Sequence, residues 1–187
     1  MPNWCYNRML IDKKDMAKFN EVAVSQEEVD FEILLPHPLA VQIDEYYGGF
    51  ITNKEKIDVE LLNIPYKKIP FDWFVDSAGE KALLQTAFGF DDSQGWYSWN
   101  IENWGTKWNA GETSITDTDD DNVLIEFETA WSAPLPWFME LAKHIPFDVE
   151  CEEEGGFFHY NCVSDGKGNL SVDDDTEEFF KASEENE

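Results

Sequence analysis

Strict alternation of apolar and polar residues opens the chain. Cys5, Asn7, Met9 and Ile11 fall on one side of a strand over 4–11, with Tyr6, Arg8 and Leu10 on the other. Asp12 then serves as a helix start signal, and Met16, Phe19 and Val22 recur at helical spacing, which predicts an amphipathic helix over 13–24. Asp30 to Leu35 alternates again and predicts a second strand, ended by Pro36-His37-Pro38. Residues 39–95 lose this regularity. Helical spacing over 54–62 and 80–88 is broken by Pro65, Pro70 and an aromatic stretch, so the segment reads as an insertion or lid. From Trp96 to Trp108 aromatic residues predict a strand, and the polar run 109–122 predicts a turn. Val123, Ile125, Phe127 and Thr129 alternate with Leu124, Glu126 and Glu128, as a half-buried strand does.

Ser132, with Pro134 and Pro136 behind it, marks a helix start. Trp137, Phe138, Leu141 and Ala142 supply its stripe, and Pro146 stops it. Residues 147–154 and 157–163 form a hairpin around Gly155-Gly156, and Asp165-Gly166-Lys167-Gly168-Asn169 makes another turn. The order of elements suits an α+β, ferredoxin-like layer: an antiparallel sheet with helices on one face, plus the inserted segment. The expected organisation is one domain over 1–172, interrupted at about 39–95, with a disordered acidic tail over 173–187.

Three aromatic-rich blocks stand in this frame. They are Pro2-Asn3-Trp4-Cys5-x-Asn7-Arg8, then Trp96-Tyr97-x-Trp99-x-Ile101-x-Asn103-Trp104-Gly105-Thr106-Lys107-Trp108, and Phe127-x-Thr129-Ala130-Trp131-Ser132-x-Pro134. In this order they resemble the YubB-like family, a ferredoxin-like domain of phage, plasmid and genomic-island proteins. The resemblance spans roughly 1–36 and 96–160. It implies the fold and a mobile-element origin, and it carries no activity.

Charge changes the picture most. The 187 residues hold 40 acidic and 13 basic side chains, a formal charge of −27. Residues 1–111 have 18 acidic and 10 basic groups, whereas 112–187 have 22 and 3. Such a field repels nucleic acid and anionic membrane, and with Arg8 as the single arginine, direct DNA or RNA reading is disfavoured. No secretion signal or membrane-length apolar run is evident, so a cytoplasmic location in a bacterial host is expected. Cys5, Cys151 and Cys162 are an odd count without metal-ligand spacing, and read as buried thiols.

Enzyme signatures are missing, so a non-enzymatic protein without cofactor or metal is expected. His37, His144 and His159 have no neighbours at metal-ligand spacing. A calcium-loop count from Asp117 to Glu128 lacks the glycine at its sixth position, where Asn122 stands. Alternation instead gathers carboxylates: Asp148, Glu150, Glu152 and Glu154 share one side of their strand, as do Glu126 and Glu128, and Asp30 and Glu32. In a ferredoxin-like layer that side is the open sheet face, and no lysine is offered there to compensate. With Asp117, Asp119, Asp120, Asp121 and Glu153 these form a candidate surface that imitates a run of phosphates. The expected partner is a basic nucleic-acid-binding protein, such as a CRISPR effector or restriction enzyme, which the protein inhibits as a DNA mimic. Two alternatives stay open. Trp99, Asn103, Trp104, Lys107 and Trp108 can line a small-ligand or enzymatic pocket, or the acidity serves solubility alone.

Overall fold

The structure, a computed structural model, describes residues 3–38, 41, 95–118 and 121–179. The chain divides into two units, one of Met1–Leu35 with Asn103–Glu187, the other Pro36–Glu102. Nearly all of the expected insertion, with its helices at 54–62 and 80–88, lies outside the described residues.

The first unit is built on β1 (Trp4–Asp12), a 3-10 turn (Lys13–Asp15) and α1 (Met16–Ala23), as the first alternation and helical spacing require. After a short excursion come β4 (Gly111–Asp117), β5 (Asn122–Ala130), α4 (Leu135–Leu141), β6 (Pro146–Glu153), β7 (His159–Asp165) and β8 (Leu170–Asp174). The sheet order is β4-β5-β1-β6-β7-β8, antiparallel throughout. Its first four strands with α1 and α4 reproduce the β-α-β-β-α-β layout, and β7 and β8 extend one edge. The fold is ferredoxin-like, as the pattern predicts.

The excursion differs from expectation. Residues 30–35 are not a strand: β2 (Val24–Ser25) and β3 (Glu28–Val29) pair around Gln26 and Glu27, whose φ angles are 54° and 70°. Then one turn of helix, α2 (Phe31–Leu34), follows. Asp30 caps it by accepting the Glu32 N–H at 3.0 Å, and the Asn109 side-chain carbonyl accepts the Phe31 N–H at 2.8 Å. These local bonds replace a strand ladder. Asp30 and Glu32 therefore lie off the main sheet.

Trp96–Asn103 is likewise a helix, α3, not a strand. Helical geometry stacks Trp96, Asn100 and Asn103 along one side, a spacing that outweighs the aromatic strand preference. All of α3 but its last residue belongs to the second unit, where His37 Nε2 lies 2.5 Å from Asn100 Oδ1 and the His37 ring 4.6 Å from Trp99. The run 109–122, expected as a turn, contains β4. That edge strand has one large apolar side chain, Ile115, so it carries no apolar alternation. The helix expected from Ser132 begins later. Pro134 occupies its cap position without a side-chain cap bond, and the Ser132 hydroxyl goes elsewhere.

The core lies between the sheet and α1, α2 and α4. Cys5, Met9, Ile11, Val123, Ile125, Phe127, Val149 and Cys151 bury one sheet face against Phe19, Phe31, Trp137, Phe138 and Leu141. Phe31 meets Trp137 at 4.7 Å, and Phe127 meets Trp137 at 6.3 Å and Phe138 at 6.4 Å, near edge-on in the last two pairs. Cys5, Cys151 and Cys162 are free and buried, and their neighbours push the Cys151 thiol up, hydrogen bonding to Cys162 most of all. Phe127→Ala removes the ring that joins sheet and helices and is expected to cost about 3–5 kcal/mol, read as a lowered urea midpoint at unchanged slope.

Candidate partner-binding face

Register decides what the open face holds. One row across the sheet runs Ser114, Glu126, Arg8, Glu150, Asn161, Asp173. The neighbouring row brings Glu128, Tyr6, Glu152 and His159 into line, and the row on the other side Leu124, Leu10, Asp148 and Val163. Glu126, Glu128, Asp148, Glu150 and Glu152 thus share the open side, as their alternation predicts.

The compensation that the sequence does not offer as lysine comes from an arginine. Arg8 reaches Glu126 on β5 at 3.6 Å, and Glu150 and Glu152 on β6 at 3.6 and 3.8 Å, so one guanidinium on β1 holds together carboxylates of the two strands that flank it. Arginine is suited to this because its fork of donors serves several oxygens at once. Glu150 also accepts from His159 Nε2 at 2.9 Å, while His159 Nδ1 lies 2.5 Å from Asp175. Phe179 stacks on the same imidazole with ring centres 3.7 Å apart. Thr176 Oγ1 accepts the His159 N–H at 2.9 Å, and Asn161 donates to Asp175 at 2.9 Å. The acidic tail expected from 173 is hence ordered at its start: Asp173 and Asp174 finish β8, and 175–179 are tied down over β7. Residues 180–187 lie outside the described residues.

Glu112 was missed by sequence reading. A register shift between Gly111 and Ser114 marks a bulge in β4, and Glu112 takes a φ of 43° there. The bulge turns Glu112 toward the open face, beside a cleft of about 220 Å³ that Tyr6, Arg8, Glu126 and Glu128 also line. Partial burial, followed by Glu112 and Glu154, pushes the Glu128 carboxyl above its ordinary range. Desolvation and the carboxylates Glu154, Glu128, Glu152 and Glu112 raise the Tyr6 phenol. No strand alternation signals Glu112, because a bulge breaks the period.

Glu153 leaves the candidate surface. It faces the core, 2% exposed, accepting from Asn3 Nδ2 at 2.6 Å, the Gly155 N–H at 2.8 Å and the Phe157 N–H at 3.1 Å. Adjacent residues on a strand point opposite ways, so Glu152 and Glu153 cannot share a face. Its carboxylate instead closes the β6–β7 turn. Glu154 is exposed in that turn, with its N–H bonded to the Trp4 carbonyl at 2.9 Å. Asp117 ends β4 in register with Val123, on the helix side, and Asp121 lies in the β4–β5 turn, where its carbonyl accepts the Lys13 N–H. Asp119 and Asp120 lie outside the described residues. Among the described residues no three His, Cys, Asp or Glu side chains gather as metal ligands.

The candidate pocket residues are drawn from both units. Trp104 is core: it is 1% exposed, edge-on to Phe31 at 5.7 Å, and its indole N–H is bonded to the Leu35 carbonyl at 2.9 Å. Trp99 belongs to the second unit, and Asn103 ends α3. Lys107 and Trp108 do stay together, with Trp131 added. The Lys107 ammonium lies 4.5 Å from the Trp108 ring centre and 4.6 Å from that of Trp131. The corner holding Trp131 is built from β1 outward. The buried Asn7 amide donates to Thr129 Oγ1 at 3.0 Å, Thr129 donates to the Ser132 carbonyl at 2.8 Å, and Ser132 Oγ donates to the Gly105 carbonyl at 2.5 Å. Thr106 donates to the Ala130 carbonyl at 2.8 Å.

His159 makes a testable pH dependence. Burial pulls its pKa down, but the bonds to Asp175 and Glu150 outweigh this and leave it raised. The folded state therefore holds the proton more tightly than the unfolded chain. The resulting stabilisation is complete below the unfolded value of about 6.5 and is lost as pH rises through the raised folded value. His159→Gln is expected to lower the melting temperature at pH 6 and to have a smaller effect at pH 9, read by thermal melts across that range.

No curated protein matches the chain. No helix among the described residues is long and apolar enough to cross a membrane. A crystal structure of protein Api92 from Yersinia pseudotuberculosis is similar with a TM-score of 0.51, covering 93% of this chain and 98% of that one at 11% identity, a likeness of fold. Residues 103–187 match the family model described as the ferredoxin-like domain in Api92-like protein, so that stretch of the chain is similar to that domain.

Proposed function

We propose that the protein is a non-enzymatic inhibitor from a mobile element, related to the YubB-like proteins. Its open sheet face occupies the nucleic-acid-binding cleft of a basic host or defence protein in the bacterial cytoplasm, a CRISPR effector or a restriction enzyme. The observation that supports this best is the register: Glu126 and Glu128 on β5 and Asp148, Glu150 and Glu152 on β6, the two strands that flank β1, joined by Glu112 from the bulge and Asp173 from β8. Same-face residues recur about every 6.6 Å along a strand, and β5 and β6, two strand spacings apart across β1, lie about 9.6 Å from one another. Negative charge is therefore spread in two dimensions at spacings comparable with a phosphate backbone. Like charges this close oppose folding, and Arg8 and His159 offset only the centre of the array. A cationic cleft completes the compensation from outside, and counterion release makes such binding salt-sensitive.

The test is affinity capture from bacterial lysate at low and high salt, with duplex DNA as competitor. A nucleic-acid enzyme retained at low salt and displaced by DNA is the expected result. Glu128→Lys, Asp148→Lys and Glu154→Lys together should abolish retention while the melting temperature holds, since none of the three pairs with Arg8 or His159 among the described contacts. Retention that survives this triple reversal, or that DNA does not displace, overturns the reading. An empty capture moves the weight to acidity that serves solubility alone.

A further inference from the structure

One end of the open face is aromatic. Trp4 lies on the same side of β1 as Tyr6 and Arg8, and its ring is 6.3 Å from Trp108. Trp108 and Trp131 are 39% and 42% exposed, large areas for indoles that the core does not need. Trp131 is held at a φ of 71°, the left-handed region, where a bulky side chain is strained. The strain is maintained by bonds on both sides: the Trp131 N–H donates to the Asn3 carbonyl at 2.9 Å, and the Thr129–Ser132–Gly105 chain fixes the residues around it. Rigid, exposed aromatics bind partners at low entropic cost. These rings already hold a cation, since the Lys107 ammonium lies within 4.6 Å of both.

Resting on the docking reading above, we propose that this aromatic end makes the face selective for arginine over lysine. The preferred occupant is an arginine-rich segment of the basic partner protein. A guanidinium is planar and weakly hydrated, so it stacks on the exposed indole surface of Trp108 and Trp131 while neighbouring arginines pair with Glu128, Glu152 and Glu154. An ammonium gains the charge attraction and little of the stacking. The carboxylates thus supply attraction to any basic surface, and the indoles supply discrimination among basic surfaces.

The experiment uses the full chain with fluorescein-labelled nona-arginine and nona-lysine, read by fluorescence anisotropy at fixed ionic strength. Nona-arginine is expected to bind about fivefold to tenfold more tightly, the scale of one to two exposed cation–π contacts. Trp108→Ala and, separately, Trp131→Gly, which suits the positive φ, should each erase most of that preference and leave nona-lysine affinity within about twofold. The triple Lys reversal at Glu128, Asp148 and Glu154 should instead weaken both peptides together. Equal affinity of the two peptides for the wild type overturns the arginine selectivity and leaves the acidic docking face standing. So does a preference that persists in both tryptophan variants. Binding of neither peptide overturns both. A labelled oligothymidine that binds in place of the peptides, through base stacking on the same rings, also overturns the proposal.

Discussion

The placement of β1 between β5 and β6 is the constraint on which the rest depends. A central strand has both edges committed to ladders, so its two faces cannot be exchanged without breaking two sets of pairings. One face delivers Cys5, Met9 and Ile11 to the core together with a single polar side chain, Asn7. That amide is kept buried only by being satisfied: it donates to the carbonyls of Cys5 and Phe127 and to Thr129. The other face presents Trp4, Tyr6, Arg8 and Leu10 outward, and with them the one arginine of the chain.

Arg8 then organises the open surface. Without a cation in the middle strand, Glu126 and the pair Glu150 and Glu152 would confront one another across β1 with nothing between. With it, three carboxylates from the two flanking strands share one guanidinium, and the unbalanced charge lies outside them at Glu112, Glu128, Asp148 and Asp173. Exposed ion pairs contribute little to stability, so the role of Arg8 is positional. His159 repeats the arrangement at the next strand, bridging Glu150 and Asp175 and holding the start of the acidic C-terminal segment over the sheet.

Asn7 connects this surface to the aromatic corner. Its bond to Thr129 begins a chain through Ser132 to Gly105, so the loop carrying Lys107 and Trp108 is fastened to the end of β5 where Trp131 is strained. Gly105 itself has a φ of 87°, and a side chain there would meet Pro136 Cδ at 2.4 Å. Only glycine permits that close approach. Charge and aromatic area are therefore presented by one scaffold, the first from strand faces and the second from loops pinned to strand ends.

Alternation and helical spacing by themselves determined the ferredoxin-like frame: β1, α1, β5, α4, β6 and β7 are each legible because one face of each is buried and its period is unbroken. They also determined that Glu126, Glu128, Asp148, Glu150 and Glu152 share one side, since a strand's period of two leaves no other choice once the strands are right. What they misread shares a physical cause. The β2–β3 turn uses Gln26 and Glu27 at positive φ, where Asn-Gly is the usual signal, so nothing in the pattern of 24–35 marks the hairpin. Edge strand β4 has Ile115 as its one large apolar side chain, and the bulge that delivers Glu112 erases periodicity where it occurs. Trp104 and Trp108 look alike in the chain, yet one is sealed against Phe31 and the other reaches solvent beside Trp131, 23 residues further along. Only the tertiary structure decided that, and the role of Arg8, because pairing across strands is a contact between residues more than 100 positions apart, and local pattern carries no record of it.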